Sequence, residues 1–186
     1  FSNFDKGLNQ VSHESSPKTV LALQAGASVA QVQQWLQDVS VTNDLGGFED
    51  AEKWAKTFHT KISELRKLEA TTSNNPDLLK NLDDAEKIFN EFYEMGKVMT
   101  HAYLEQGRDA GNAIMGNFDA KADTMVASMD AIQAQYMKSQ TEFSESLIKS
   151  STAQAQSSNI AAILLMIVCG VAVFFLVRSI TVDVIE

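Results

Sequence analysis

The chain has 186 residues, of which 15 are Lys or Arg and 24 are Asp or Glu, so it carries a net charge of −9 at pH 7. This negative charge argues against nucleic acid and anionic lipid as partners. The single cysteine, Cys169, excludes an intrachain disulfide and the CxxC type of metal or haem attachment. Two prolines and nine glycines leave few breaks, which favours long helices over a β-sandwich.

Apolar residues recur at intervals of three and four through residues 1–158, which is the period of an α-helix. This spacing predicts four helices, at 1–41, 48–70, 77–106 and 117–159. Ser16-Pro17 either begins a helix, as N-cap and first helical residue, or kinks the longer first helix. Turn-forming residues separate them at 42–47, 71–76 and 107–116. Two long outer helices with two shorter ones between them predict an all-α fold, an up-down-up-down four-helix bundle whose first and third turns share one end.

An uninterrupted apolar run of 18 residues follows at 160–177, and as a helix it is about 27 Å long, enough to cross a bilayer. No Gly or Pro separates this run from the fourth helix, so we expect one helix continuous with a transmembrane segment. Because Arg178 directly follows the run, residues 1–158 are expected to lie outside the cell membrane. The chain begins with Phe1, and we expect it to be a fragment that lacks an upstream segment.

Two stretches of the sequence are distinctive. The first is Gln31-Val32-Gln33-Gln34-Trp35-Leu36 with Asp38, followed by Gly47-Phe48 and an acidic helix start. The second, Arg178-Ser179-Ile180-Thr181, resembles the opening of a HAMP linker, although Asp183 stands where that pattern has a proline. Together they resemble the sensor region of bacterial methyl-accepting chemotaxis receptors. The resemblance implies a periplasmic four-helix-bundle sensor domain at 1–158, a transmembrane helix at 160–177 and a HAMP-like linker at 178–186.

The resemblance also implies a function: a chemoreceptor in the bacterial inner membrane that detects an extracellular stimulus and passes it on by shifts of the fourth helix. We expect a homodimer, because a lone bundle with a two-helix stem buries too little surface at its base. Its ligand would be a small molecule or a periplasmic binding protein. The input domain of a sensor histidine kinase is the alternative within the same architecture. A passive membrane-anchored interaction protein is a further alternative.

Aromatic residues predict a ligand pocket near the end of the bundle that carries the first and third turns. Trp35 and Trp54 lie seven residues before and after the 42–47 turn, so an antiparallel pairing places them at the same height. Tyr103 and Phe118 flank the third turn, and Asp38 would favour a cationic or polar ligand. Ordinary core packing is the competing interpretation. A carboxylate ligand is disfavoured because the first helix has no arginine, Arg66 and Arg108 being the only ones in 1–158.

No catalytic motif is visible, so the sequence predicts a protein that is not an enzyme. His101 and Glu105 stand four residues apart on the third helix, the spacing of a metal-binding pair, with a solvated histidine as the alternative. Methionines gathered in the third and fourth helices would suit either a haem or copper site or an irregular core. No cofactor is predicted, and a haem- or metal-binding redox sensor stays an alternative.

Overall fold

The computed structural model describes Gly7, Glu14 and residues 16–183. Within this part, side chains are described for Glu14 and for residues 16–149, 151 and 152. Within this part the chain forms four α-helices and no strand, which confirms the predicted all-α class. The helices are α1 (Ser16–Thr42), α2 (Gly46–Thr71), α3 (Pro76–Gln106) and α4 (Arg108–Asp183). The chain divides into two compact units, Leu8–Thr141 and a second one made of Phe1–Gly7 with Glu142–Glu186.

The core of the first unit consists of the apolar stripes read from the helical period. Its side chains are at most 4% exposed. The largest members in α2, α3 and α4 are Phe58, Ile62, Leu65, Leu82, Phe89, Phe92, Met99, Phe118, Met125, Met129 and Ile132. The α1 stripe is narrower, with Ala22, Ala25, Val29, Val32 and Leu36. Small residues on one helix and aromatic ones on its neighbours let the surfaces interdigitate, which is how interiors reach their high density.

The first two connections lie where the sequence predicts them. Asn43 has a positive φ of 58° after α1, and Asp44 Oδ1 then accepts the N–H of Gly46 at 3.0 Å. Asn75 caps α3, since its side chain accepts the N–H groups of Asp77 and Leu78 at 3.0 and 3.3 Å. An Asn cap followed by proline is a strong helix start because both satisfy or remove N–H groups that the helix leaves unbonded.

The third connection is far shorter than the predicted 107–116 turn. Gly107 alone separates α3 from α4, with a positive φ of 91° that favours glycine. The N–H of Gly111 already donates to Gly107 O at 3.2 Å, so the helix is established within one turn. Gly111 and Gly116, which the sequence predicts to lie in a loop, are therefore inside α4.

The predicted membrane location is wrong for the part of the chain that the structure describes. None of the helices in this part is both long and apolar enough to cross a bilayer. The predicted span at 160–177 and the HAMP-like stretch at 178–186 lie outside the residues whose side chains are described. The first part of the predicted helix at 1–41 also lies outside the described residues, because of residues 1–15 only Gly7 and Glu14 are described.

Candidate functional site

A cleft of about 710 Å³ opens beside the end of α1 and the junction of α3 and α4, and its volume is in the range of small-molecule sites. We call it the junction cleft. Its lining comes from three helices and from the residue that follows α1: Gln37, Ser40, Val41, Asn43, Tyr103, Arg108, Asn112 and Met115. Amide and hydroxyl groups therefore share the cleft with three larger apolar or aromatic surfaces, those of Val41, Tyr103 and Met115.

Tyr103 is held in place from two sides. A Cβ atom at Gly111 would collide with the Tyr103 ring, so the absence of a side chain there is what lets the ring lie against α4. The Tyr103 hydroxyl donates to Asn112 Oδ1 at 2.6 Å. Because this bond occupies the oxygen of the amide, it directs the two N–H donors of Asn112 elsewhere. The cleft thus has a fixed aromatic wall and an oriented amide.

Among the eight described residues that line the junction cleft, Arg108 is the only charged one. It is exposed, and within residues 16–149 it has no ion pair or hydrogen bond through its side chain. Arg66, in contrast, donates to Asp83 Oδ1 at 2.9 Å and to Glu86 Oε2 at 2.6 Å. Of the two arginines whose side chains the structure describes, Arg66 is paired with carboxylates and Arg108, which lines the junction cleft, is not.

The predicted ligand residues do not come together as one pocket wall. Tyr103 lines the junction cleft, whereas Phe118 is fully buried and stacks on Phe92 with ring centroids 5.2 Å apart. Trp35 and Trp54 pack, partly buried, against the core, and Asp38 is exposed on α1. Sequence reasoning missed the polar lining, because Gln37, Asn43 and Asn112 stand near helix ends, where polar residues are common.

His101 and Glu105 do meet, with Nδ1 and Oε1 3.0 Å apart, on the exposed side of α3. Phe48 of α2 stacks on the imidazole at a centroid distance of 5.2 Å. Throughout the described chain, no group of three or more His, Cys, Asp or Glu side chains is placed to hold a metal ion. A metal ion at this pair would have only the His101 imidazole and the Glu105 carboxylate as described protein ligands, which is fewer than a zinc site uses.

A second polar feature, far from the junction cleft, is buried in the core. Glu69 is 0% exposed and pairs with Lys18, whose Nζ lies 2.9 Å from Oε2 and whose side chain is 7% exposed. Oε1 of Glu69 accepts from Ser73 Oγ at 2.6 Å and from the N–H of Asn75 at 3.1 Å. The hydroxyl of Tyr136 in α4 donates to Oε2 at 3.4 Å. We call these five residues the buried charge cluster; it ties α1, α2, the turn after α2, and α4 together.

Burial and hydrogen bonding act against each other on Glu69. Burial raises the pKa of its carboxyl, but the hydrogen bonds from Ser73, Lys18 and the Asn75 N–H, with the charge of Lys18, outweigh it, and the pKa lies below the usual range. Burial, followed by the charge of Glu69 and the hydrogen bond to it, raises the pKa of Tyr136 far above its usual value. Glu69 is thus a carboxylate and Tyr136 a neutral donor across the physiological pH range.

A third group of charges joins the outer faces of α2 and α3. Glu86 accepts from Arg66, and its Oε1 lies 3.0 Å from Nδ1 of His59. Burial raises the pKa of Glu86, but the hydrogen bonds from Arg66 and His59 outweigh it, so the pKa falls below the usual value. Stability from a depressed carboxyl pKa is fully present above the unfolded-state pKa and disappears as the pH falls through the folded-state pKa.

We therefore expect Glu86→Gln to lower the free energy of unfolding at neutral pH, and the difference from the wild type to shrink as the pH falls below about 5. Urea unfolding followed by circular dichroism, repeated from about pH 7 to about pH 3, measures this. Glu145→Gln is the control, since Glu145 is exposed, lies away from the helix ends and has no ion pair in the described structure. A Glu86→Gln difference that stays constant with pH would contradict the expected role of its charge.

The chain matches no family model, no curated protein and no solved structure. The resemblance to chemotaxis receptors therefore stays a prediction from the two sequence stretches that carry it.

Proposed function

We propose that the four helices form an up-down-up-down bundle and that this bundle is the ligand-sensing, non-enzymatic module of a signalling protein, of the kind that the resemblance to chemotaxis receptors implies. A small molecule binds in the junction cleft and changes the packing of α1 against α3 and α4. The observation that carries this proposal is the composition of the cleft, whose lining comes from three helices. One bound molecule would touch all three and favour one of their packings over another.

The order of the contacts between helices supports the antiparallel bundle. Along α1, Ser16 and Ala22 bond to Gln140 and Gln133 of α4, so the two helices run in opposite directions. Glu69, near the end of α2, pairs with Lys18, near the start of α1, which supports an antiparallel arrangement of these two helices as well. Single-residue and short turns between consecutive helices are typical of up-down-up-down bundles.

The two polar features divide the bundle into a fixed end and an adjustable end. The buried charge cluster holds Lys18, which lies about 28 Å along α1 from Gln37 in the junction cleft. We infer that this buried ion pair holds α1 and α2 in one register, as buried polar groups do in some helical proteins. Displacements caused by a ligand are therefore expected to be largest at the cleft and to pivot on the charge cluster.

A thermal-shift screen of the whole chain against organic acids, amines, sugars and metal salts tests the proposal. A ligand of the folded state raises Tm, since about a hundredfold excess over Kd adds about 2.7 kcal/mol to the free energy of unfolding. Asn112→Leu, which removes an amide from the cleft together with its hydrogen bond to Tyr103, is expected to reduce the rise strongly. Asn117→Leu changes the same residue type on the same helix outside the cleft, and it is expected to keep the rise.

Sensing requires more than binding, and amide hydrogen exchange separates the two. The ligand is expected to slow exchange around residues 103–115 and also to change exchange in α1 and α4 beyond the lining residues. Protection confined to the cleft would contradict a sensing role and leave a simple binding protein. The absence of any stabilising compound in the screen would contradict the cleft itself.

A further inference from the structure

We propose that the ligand of the junction cleft is a small organic acid whose carboxylate pairs with Arg108 and whose apolar part lies on Tyr103, Val41 and Met115. This inference rests on the proposed sensing function and adds the chemical class of the ligand. It reverses the sequence argument against carboxylates, which considered arginines on the first helix alone. The structure brings an arginine to the end of that helix from the junction of α3 and α4.

The guanidinium of Arg108 selects for an anion with two oxygens in one plane. Its five N–H donors form a fork that matches a carboxylate in two parallel bonds. Arg66 shows what this chain does with an arginine that serves structure, since two carboxylates occupy that side chain at 2.9 and 2.6 Å. Arg108 has no such partner among residues 16–149, so its donors are available in the cleft.

The other polar groups of the cleft also favour an anion over a cation. None of the eight lining residues is acidic, although acidic residues outnumber basic ones in the chain by 24 to 15. The amides of Gln37, Asn43 and Asn112 supply N–H donors, and Asn112 has its oxygen already engaged by Tyr103. Ser40 donates to Leu36 O at 2.8 Å within its own helix and adds no free hydroxyl proton. An amine would find no carboxylate here.

The apolar surfaces favour an organic anion over a free inorganic one. The ring of Tyr103 is fixed against Gly111, and Met115 and Val41 line the same cleft. The cleft volume of about 710 Å³ is far larger than a phosphate ion needs. A phosphate bound there would leave most of the cleft unfilled. A carboxylate with an aliphatic or aromatic body fills the space and buries apolar area at its far end, which adds to the affinity of the ion pair.

Isothermal titration calorimetry of the full chain tests the assignment with a set of carboxylates from acetate to 3-phenylpropionate, the amine of each carbon skeleton, and inorganic phosphate. The larger carboxylates are expected to bind, and Arg108→Gln to weaken them by about ten- to a hundredfold. Arg108→Lys, which keeps the charge but loses the fork, is expected to be intermediate. Lys53→Gln removes the same charge at an exposed site outside the cleft, and binding is expected to survive it.

The outcomes separate this inference from the sensing function. Binding of amines or neutral compounds that Asn112→Leu strongly weakens would overturn the organic-acid assignment and keep the cleft. Carboxylate binding that is equal in Arg108→Gln and wild type would overturn the role of Arg108. Phosphate binding without any carboxylate binding would overturn the apolar part of the argument. If no compound of this set binds, the organic-acid assignment is overturned, and the proposed function is contradicted only if the thermal-shift screen also finds no stabilising compound.

Discussion

Replacing Lys18 with Met is expected to lower the free energy of unfolding by about 3–5 kcal/mol, the cost of leaving a buried charge without its partner. Glu69 is 0% exposed, and its only cation in the described structure is Lys18 at 2.9 Å. The hydroxyl of Ser73 and the N–H of Asn75 would still bond to the carboxylate, but neither neutralises it. Urea unfolding followed by circular dichroism measures the loss.

The pH dependence identifies the charge of Glu69 as the cause. The folded-state pKa of Glu69 is lowered in the wild type, so its contribution to stability is present above the unfolded-state pKa and is lost as the pH falls through the folded-state pKa. A protonated Glu69 no longer needs a cation. The difference between Lys18→Met and the wild type is therefore expected to narrow below about pH 5.

Two further variants control this experiment. Lys18→Met combined with Glu69→Gln removes both charges and is expected to be more stable than Lys18→Met alone, because no buried charge remains unpaired. Lys80→Met breaks an exposed pair with Asp84 and is expected to leave stability nearly unchanged. If Lys18→Met and Lys80→Met unfolded at the same urea concentration, the buried charge cluster would not stabilise the fold.

The helical period was enough to predict the core. Residues such as Val29, Phe58, Phe89 and Met125 fall on the stripes read from the sequence, and all are buried. The period carries this information because a helix repeats its inward face every three to four residues, whatever its neighbours are. The same period also contains the sequence signal of the buried charge cluster. Lys18 and Glu69 occupy inward positions of their stripes, four residues from Ala22 and Leu65. A charge at such a position indicates a buried ion pair.

The junction between α3 and α4 was mispredicted because glycine has two uses. Gly107 ends α3 through its positive φ, as a turn glycine does. Gly111 lies inside α4 although glycine costs a helix about 1 kcal/mol relative to alanine, since the Tyr103 ring occupies the space of its side chain. Spacing along the chain does not distinguish a glycine that breaks a helix from one that makes room for a ring on a neighbouring helix.

The candidate site could be predicted only in part for a related reason. Tyr103 was predicted from its position beside the third turn, and it does line the cleft. Arg108 and Asn112 stood in what the sequence indicated as a loop, so they had no predicted direction relative to α1. A site assembled from three helices depends on the angles at which those helices pack, and a single sequence gives no measure of those angles.

Phe118→Ala is expected to lower the free energy of unfolding by about 3–5 kcal/mol, the range for truncating a buried aromatic side chain. Phe118 is 0% exposed and stacks on Phe92 at an interplanar angle of 17°. It also lies at a close approach of α3, since a Cβ at Gly96 would be 2.7 Å from Phe118 Cε2 and 2.5 Å from Leu36 Cδ1. Helices packed this tightly cannot collapse further into the cavity, so the loss should reach the upper part of the range.

This variant also separates core packing from the aromatic pocket that the sequence predicts. If Phe118 contacted a ligand, Phe118→Ala would weaken binding and leave the free protein nearly as stable as before. If it fills the core, urea unfolding of the unliganded protein shifts strongly, because the stacked ring and its buried area are lost whether or not a ligand is present. Val126→Ala, on the same helix and 45% exposed, is the control and should change little. If Phe118→Ala lowered the free energy of unfolding by less than about 1 kcal/mol, the result would contradict the packing of α1, α3 and α4 around Gly96.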